Sequence, residues 1–241
     1  MPNKPYILIT GVNSDLGFAT AKVLAEKHSL ILSGRNLDEL KEIQSKIKNK
    51  QDHLIWNIDL VENEINLKLI KFLDETNAEI KAFVHFAGFF KINPLRLVKE
   101  EEIINSFKIN VLSAIQITIV LSKKKYRKNL KDIIFISSIS ALRGKTGFSL
   151  YASAKSALSG LTKNLAIELS PVNVNQLILG AINTKKTKSL LDPIKEELDN
   201  HIPLKLGNVN QISKWINFMV NNNDKWMTGQ EIIIDGGASV L

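Results

Sequence analysis

Residues 6–17 read YILITGVNSDLG: an unbroken apolar stretch running into a turn that carries Gly11 and Gly17. A strand with no polar alternation is buried on both faces, as parallel strands between helical layers are. Residues 15–28 follow as a helix, with Leu16, Ala19, Val23 and Leu24 on one side. A glycine turn between strand and helix aims free backbone N–H groups and the helix dipole at a diphosphate. Taken alone, the motif reads equally well as a structural turn. Asp15 places a carboxylate between the two glycines. An acid in the first turn of a helix is stabilised by the dipole and by unpaired N–H groups. Asp15 is therefore expected to turn away from phosphate and cap its own helix.

Outward from this turn, strand and helix patterns alternate. SLILSG, HLIWNID, KAFVHFAG, DIIFISS, VNVNQLILG and EIIID read as six further strands. Helical stretches cover about 38–48, 64–75, 99–125 and 151–169, the last ended by Pro171. The repeat predicts an α/β fold: one doubly wound, parallel seven-stranded sheet with helices on both faces and right-handed crossovers. The 241 residues read as a single domain (1–241), with a flap at about 184–207. Ligands of such sheets bind beyond the carboxyl ends of the strands, so functional residues should follow strands.

Composition narrows the function. With 44% hydrophobic and 23% charged residues the chain can fill one core. The absence of cysteine removes disulfides, a thiolate nucleophile and cysteine metal ligands. The four histidines show no metal-ligand spacing, so no metal is expected. The net charge of +8 peaks in KKKYRK, residues 123–128, after an apolar helical run. Cations are favoured at a helix C-terminus, so this run reads as a solvated face. A nucleic-acid binder is the minor reading, and steeply salt-dependent binding would reveal it. No apolar run approaches the roughly 18–20 residues of a membrane span. A first strand at Pro5 or Tyr6 leaves no room for a signal peptide, so the expectation is a cytoplasmic protein without a membrane partner.

Two further stretches carry chemistry. The second strand ends in SGRN, residues 33–36, where Gly34 clears space and the Arg35 guanidinium suits a 2′-phosphate. NADP(H) is therefore favoured, with NAD(H) as the other possibility; the bland reading is a surface arginine. In YASAK, Tyr151 and Lys155 lie one helical turn apart and share a face. An ammonium beside a phenol lowers its pKa from about 10 toward working pH, allowing proton exchange with an alcohol or carbonyl. On spacing alone, in so lysine-rich a chain, a surface pair is the commoner reading; here the pair follows the fifth strand, where an open sheet should have its site.

Together these stretches resemble the short-chain dehydrogenase/reductase family, in its compact one-domain, Rossmann-like form, over essentially the whole length. The family's TGxxxGxG appears as TGVNSDLG, its strand-five serine as Ser138, its YxxxK as Tyr151 with Lys155, and its helix asparagine as Asn110 in FKINV. NIDL and MTGQEIIIDGG resemble two more of its segments. The likeness is to its 3-oxoacyl-[acyl-carrier-protein] reductase-like members. The resemblance implies that Tyr151 is the catalytic acid or base and that Lys155 lowers its pKa and holds the nicotinamide ribose. It gives Ser138 to the substrate oxygen and Asn110 to a water that connects Lys155 to solvent. It assigns cofactor contacts to Gly11, Asn13, Ser14, Asp15, Leu16, Gly17, Arg35, Asp59, Leu60, Ala87, Gly88, Gly180, Ile182 and Thr184. Four positions depart from the family: Asp15 for its middle glycine, His85 and Phe86 in HFAG (85–88) for the asparagines of its NNAG, and Leu179 for its proline.

The expected pocket is apolar, with Phe89, Phe90, Leu142, Phe148 and Ala181, and Leu190 and Leu191 on the flap. Lys91, Arg143, Lys145, Lys185 and Lys186 make a cationic rim. Such a pocket suits a small-molecule ketone or secondary alcohol on an anionic handle, an acyl thioester or a nucleotide sugar; ordinary surface lysines would look the same. The alternative to an NAD(P)-dependent oxidoreductase is a cofactor-binding sensor or partner subunit with little catalysis. The resemblance further implies a homo-oligomer, a tetramer or dimer, packed through the helices at 100–125 and 151–169.

Overall fold

The computed structural model describes residues 5–222 and 226–240. β1 (Tyr6–Thr10) leads into α1 (Asp15–Leu24), and the step repeats through β2 (Leu30–Gly34), α2 (Leu37–Lys46), β3 (Leu54–Asn57), α3 (Ile65–Thr76) and β4 (Ile80–His85). α4 (Glu100–Phe107) and α5 (Ser113–Ser122) are joined without a break by a π-helical turn at Lys108–Leu112. β5 (Asp132–Ser138), α6 (Ser149–Glu168) and β6 (Asn173–Leu179) follow. The chain continues through β7 (Ile182–Asn183), α7 (Lys185–Leu191), α8 (Lys195–His201), β8 (Gly207–Asn208), α9 (Val209–Asn221) and β9 (Glu231–Ile234).

Seven parallel strands pair in the order β3-β2-β1-β4-β5-β6-β9. They are the seven strands expected from the sequence. The absence of polar alternation is explained by what each face meets. Ile7 and Ile9 pack with Ala21, Leu24, Ile212 and Ile216 on one side, while Tyr6 and Leu8 join the layer containing Leu69, Ile117 and Leu158 on the other. The strand order changes direction between β1 and β4, which opens a crevice at the carboxyl ends. Register keeps those ends level, with Thr10 opposite both Ser33 and His85.

Three features depart from the sequence reading. α9 was not anticipated, although Ile212, Ile216, Met219 and Val220 bury one of its faces and Asn208 with Gln211 forms a capping box at its start. The region expected as a flap holds two short helices and is bracketed by a two-stranded parallel pairing, β7 with β8. The expectation of no membrane-length apolar segment is also corrected. The continuous helix Glu100–Ser122 is long and apolar enough to cross a membrane by length and composition. It packs against α3 and α6, and buries Asn110, Ser113 and Thr118 beside Ala114, Ile117 and Leu121. Of its apolar window 44% is buried in this fold, and Ile103, Ile104, Leu112 and Ile119 stay exposed.

Candidate active site

The glycine turn closes against the end of β4. Gly11 has φ +67, and a Cβ there would lie 2.7 Å from the Ala87 nitrogen; one on Gly17 would lie 2.5 Å from the Gly11 carbonyl oxygen. No other residue type fits either place without moving backbone. Ser14 caps α1: its hydroxyl donates to the Gly11 carbonyl at 2.8 Å and accepts the Gly17 N–H at 3.0 Å. This corrects the expectation for Asp15. Because the helix starts at Asp15, the capping position falls one residue earlier, and Asp15 projects outward. Its carboxylate accepts the backbone N–H of Lys185, the first residue of α7.

Beyond β2, Gly34 lies beside Asn13, whose side-chain oxygen would be 3.5 Å from a Cβ at that position. Arg35 is exposed. Asn36 caps α2 by accepting the N–H groups of Asp38 and Glu39 at 3.0 and 3.3 Å. After β3, Asp59 shapes its own turn, accepting the Val61 N–H at 3.2 Å, and Leu60 is buried in the core.

His85 at the end of β4 is fully buried, with Nδ1 2.8 Å from the Thr10 hydroxyl. Burial, aided by the nearby Lys155 charge, lowers its pKa from 6.5 to about 3, so the ring is neutral. Asn110 sits in the π turn and donates to the carbonyls of Phe89 and Ser106 at 3.0 and 2.9 Å, while its buried Oδ1 has no partner. A Cβ at Gly88 would lie 3.0 Å from that oxygen and 3.4 Å from Lys155 Nζ. Gly88 thus leaves open a cradle floored by Asn110 and Lys155.

Ser138 ends β5 and is hydrogen-bonded to Tyr151. Lys155 Nζ lies 5.8 Å from the Tyr151 ring centroid and donates to the Ile136 carbonyl at 2.9 Å. The four residues Asn110, Ser138, Tyr151 and Lys155, scattered over 46 positions, therefore meet at one point of the sheet edge. The expected lowering of the Tyr151 pKa by Lys155 is corrected. Burial pushes the phenol up to about 12, with only the Ser138 hydrogen bond opposing it. The ammonium is directed to the β5 backbone instead.

Phe90 stacks edge-on against Tyr151, with centroids 4.9 Å apart, and continues to Phe148 at 5.8 Å. Of the expected rim cations, Lys91 is paired with Glu102, and Arg143 donates to the carbonyls of Ala238 and Ser239. Lys145 lies over the Phe148 ring. The Lys186 side chain lies outside the described residues. Gly180 packs on Asp235, where a Cβ would approach to 2.6 Å, and the Thr184 hydroxyl caps α7 by accepting the Thr187 N–H at 3.2 Å. Ile182 forms β7. Among the described residues no group of three or more His, Cys, Asp or Glu is placed to hold a metal.

A crevice at the strand-order switch, a glycine turn at a helix N-terminus, and a Tyr–Lys pair beside Ser138 define a nucleotide-dependent oxidoreductase site. The family model described as enoyl-(acyl carrier protein) reductase matches residues 11–239, and the chain belongs to the short-chain dehydrogenase/reductase family. It is an NAD(P)-dependent enzyme of that family. The chain is 29% identical over 238 residues to the 3-oxoacyl-[acyl-carrier-protein] reductase FabG of Chlamydia trachomatis, covering 95% of each. It is 27% identical over 237 residues to the FabG of Thermotoga maritima, covering 95% of this chain and 96% of that one. Among solved structures, ElxO with NADP bound superposes with a TM-score of 0.88 at 24% identity, covering 99% of this chain and 100% of that one. A putative gluconate dehydrogenase from Agrobacterium tumefaciens superposes at 0.91 with 20% identity, covering 98% and 96%. These two likenesses are of fold.

The residues present fit a dinucleotide. Gly11 and Gly17 let the turn close on its own backbone and on Ala87, as a phosphate-binding turn requires, and the Asn110 Oδ1 orphan faces the Gly88 cradle. Ser14 takes the Gly17 N–H, leaving the other first-turn N–H groups of α1 without an intrahelical partner.

Proposed function

We propose that the protein reduces a ketone carried on an acyl thioester, using NADPH, with Tyr151 as the proton donor. The observation that carries this reading is the convergence of Ser138, Tyr151, Lys155 and Asn110 around the Gly88 cradle, with the Tyr151 phenol held protonated. At about 12 the buried phenol is protonated but a weak acid, so its proton moves only as the carbonyl oxygen gains negative charge and becomes the stronger base. Ser138 orients the carbonyl oxygen by a hydrogen bond that strengthens as negative charge develops there. Lys155 and Asn110 line the floor on which proton resupply depends. Gly11, Asn13, Ser14, Leu16, Gly17, Asp59, Leu60, Ala87, Gly180, Ile182 and Thr184 would border the cofactor, Arg35 its 2′-phosphate, and Lys155 its ribose. Asp15, turned toward α7, borders it only through its backbone. When bound, the nicotinamide supplies the hydride.

The apolar wall of Phe90 and Phe148 beside Tyr151 suits an acyl chain, and the FabG relatives act on acyl-carrier-protein thioesters by name. The segment 184–207 serves as the substrate flap of one domain spanning 1–241. Exposed Ile103, Ile104, Leu112 and Ile119 on α4 and α5 support a homo-oligomer packed through these helices. The test is NADPH oxidation with an acetoacetyl thioester. Turnover abolished by Tyr151→Phe, with cofactor binding retained, supports the reading. Equal turnover in that variant sinks it.

A further inference from the structure

The Asn13 amide donates to Glu39 Oε2 at 3.0 Å, and the Asn36 amide donates to Glu39 Oε1 at 3.2 Å. Asn13 belongs to the glycine turn, Asn36 follows β2, and Glu39 lies in the first turn of α2. Both oxygens of one carboxylate are thus held by the two loops that flank Gly34 and Arg35. No cation pairs with Glu39 among the described residues. The Arg35 guanidinium, on the same loop as Asn36, makes no hydrogen bond or ion pair there.

We propose that Glu39 is a specificity-determining residue for the adenosine end of the cofactor, opposing Arg35. This rests on the reading of the crevice as an NAD(P) site. A carboxylate presented between these two loops accepts hydrogen bonds from ribose hydroxyls, which only the cofactor without a 2′-phosphate offers in full. It repels a 2′-phosphate, which Arg35 attracts. The amides of Asn13 and Asn36 hold the acid in place, so its position does not depend on a flexible side chain finding its own conformation. Both charges therefore act on one locus. The preference for NADPH is the difference between them and stays small in the natural chain.

The experiment titrates the purified full chain with NADPH and with NADH, following nicotinamide fluorescence, for the natural sequence and for E39Q, D38N and R35Q. Glu39→Gln removes the charge but keeps the size. Asp38→Asn makes the same charge change on the neighbouring residue, which neither asparagine amide holds. The expected result is a Kd(NADH)/Kd(NADPH) ratio that rises about tenfold in E39Q, stays within twofold in D38N and falls in R35Q. Melting curves show that each variant is folded. A ratio that moves less than fivefold in E39Q, or equally in D38N, overturns the assignment and leaves the enzyme reading standing. Binding of neither cofactor by the natural chain sinks both.

Discussion

Asp15 and Lys185, 170 residues apart, are joined by a hydrogen bond from the Lys185 backbone to the Asp15 carboxylate. The contact ties the glycine turn to the first residue of α7. A carboxylate at a helix N-terminus is favoured both by the unpaired N–H and by the dipole. The acid that looks misplaced in a phosphate-binding turn thus serves another helix. Asp15→Ala is expected to speed amide exchange across Lys185–Leu191 about fivefold, as loss of roughly 1 kcal/mol at a surface hydrogen bond implies. Unchanged exchange there would show that the tie carries no weight.

Tyr151→Phe keeps the ring stacked on Phe90 and removes the proton. The rate of carbonyl reduction should fall by about 100-fold or more, with NADPH affinity within twofold. A parallel loss of cofactor affinity would instead mark Tyr151 as a binding group.

His85 gives the fold an acid-sensitive point. Its pKa falls from 6.5 to about 3 on folding, so the unfolded chain binds the proton first. The stability from the neutral ring is complete above pH 6.5 and is lost as pH drops toward 3. Thr10, Lys155 and the backbone of Ile109 and Asn110 face the ring. Melting temperatures between pH 7 and pH 4 should fall more steeply for the natural chain than for His85→Asn. Parallel curves would assign the acid sensitivity elsewhere.

Gly11→Ala combines positive φ with a Cβ 2.7 Å from the Ala87 nitrogen. It should cost about 2 kcal/mol or more, lowering Tm by several degrees. Ser14→Ala, which removes the cap but leaves the turn, should cost about 1 kcal/mol. Calorimetry of the two variants checks the order, and a reversed order would contradict the packing of the turn.

Local pattern carried the sheet. Apolar runs with little alternation are buried between two helical layers, and β6, which opens NVNQ, buries its polar side chains all the same; the glycines of residues 11–17 leave few conformations for the first crossover. Ser138, Tyr151 and Lys155 were marked by the family resemblance, and the strand pattern added only that they follow strands, where an open sheet binds its ligands. α9 was not legible because its segment is rich in asparagine, a poor helix former, although Ile212, Ile216, Met219 and Val220 recur at helical spacing and pack where the helix meets α1.

What the sequence by itself determined is periodicity, and therefore which elements form and which of their ends gather the polar groups. Tertiary structure alone decided where individual charges point. Asp15 serves α7, Glu39 is gripped by Asn13 and Asn36, and Lys155 donates to Ile136 while burial keeps Tyr151 protonated. These outcomes depend on contacts between residues far apart in the chain and on the loss of water around them. Neither is encoded in local spacing.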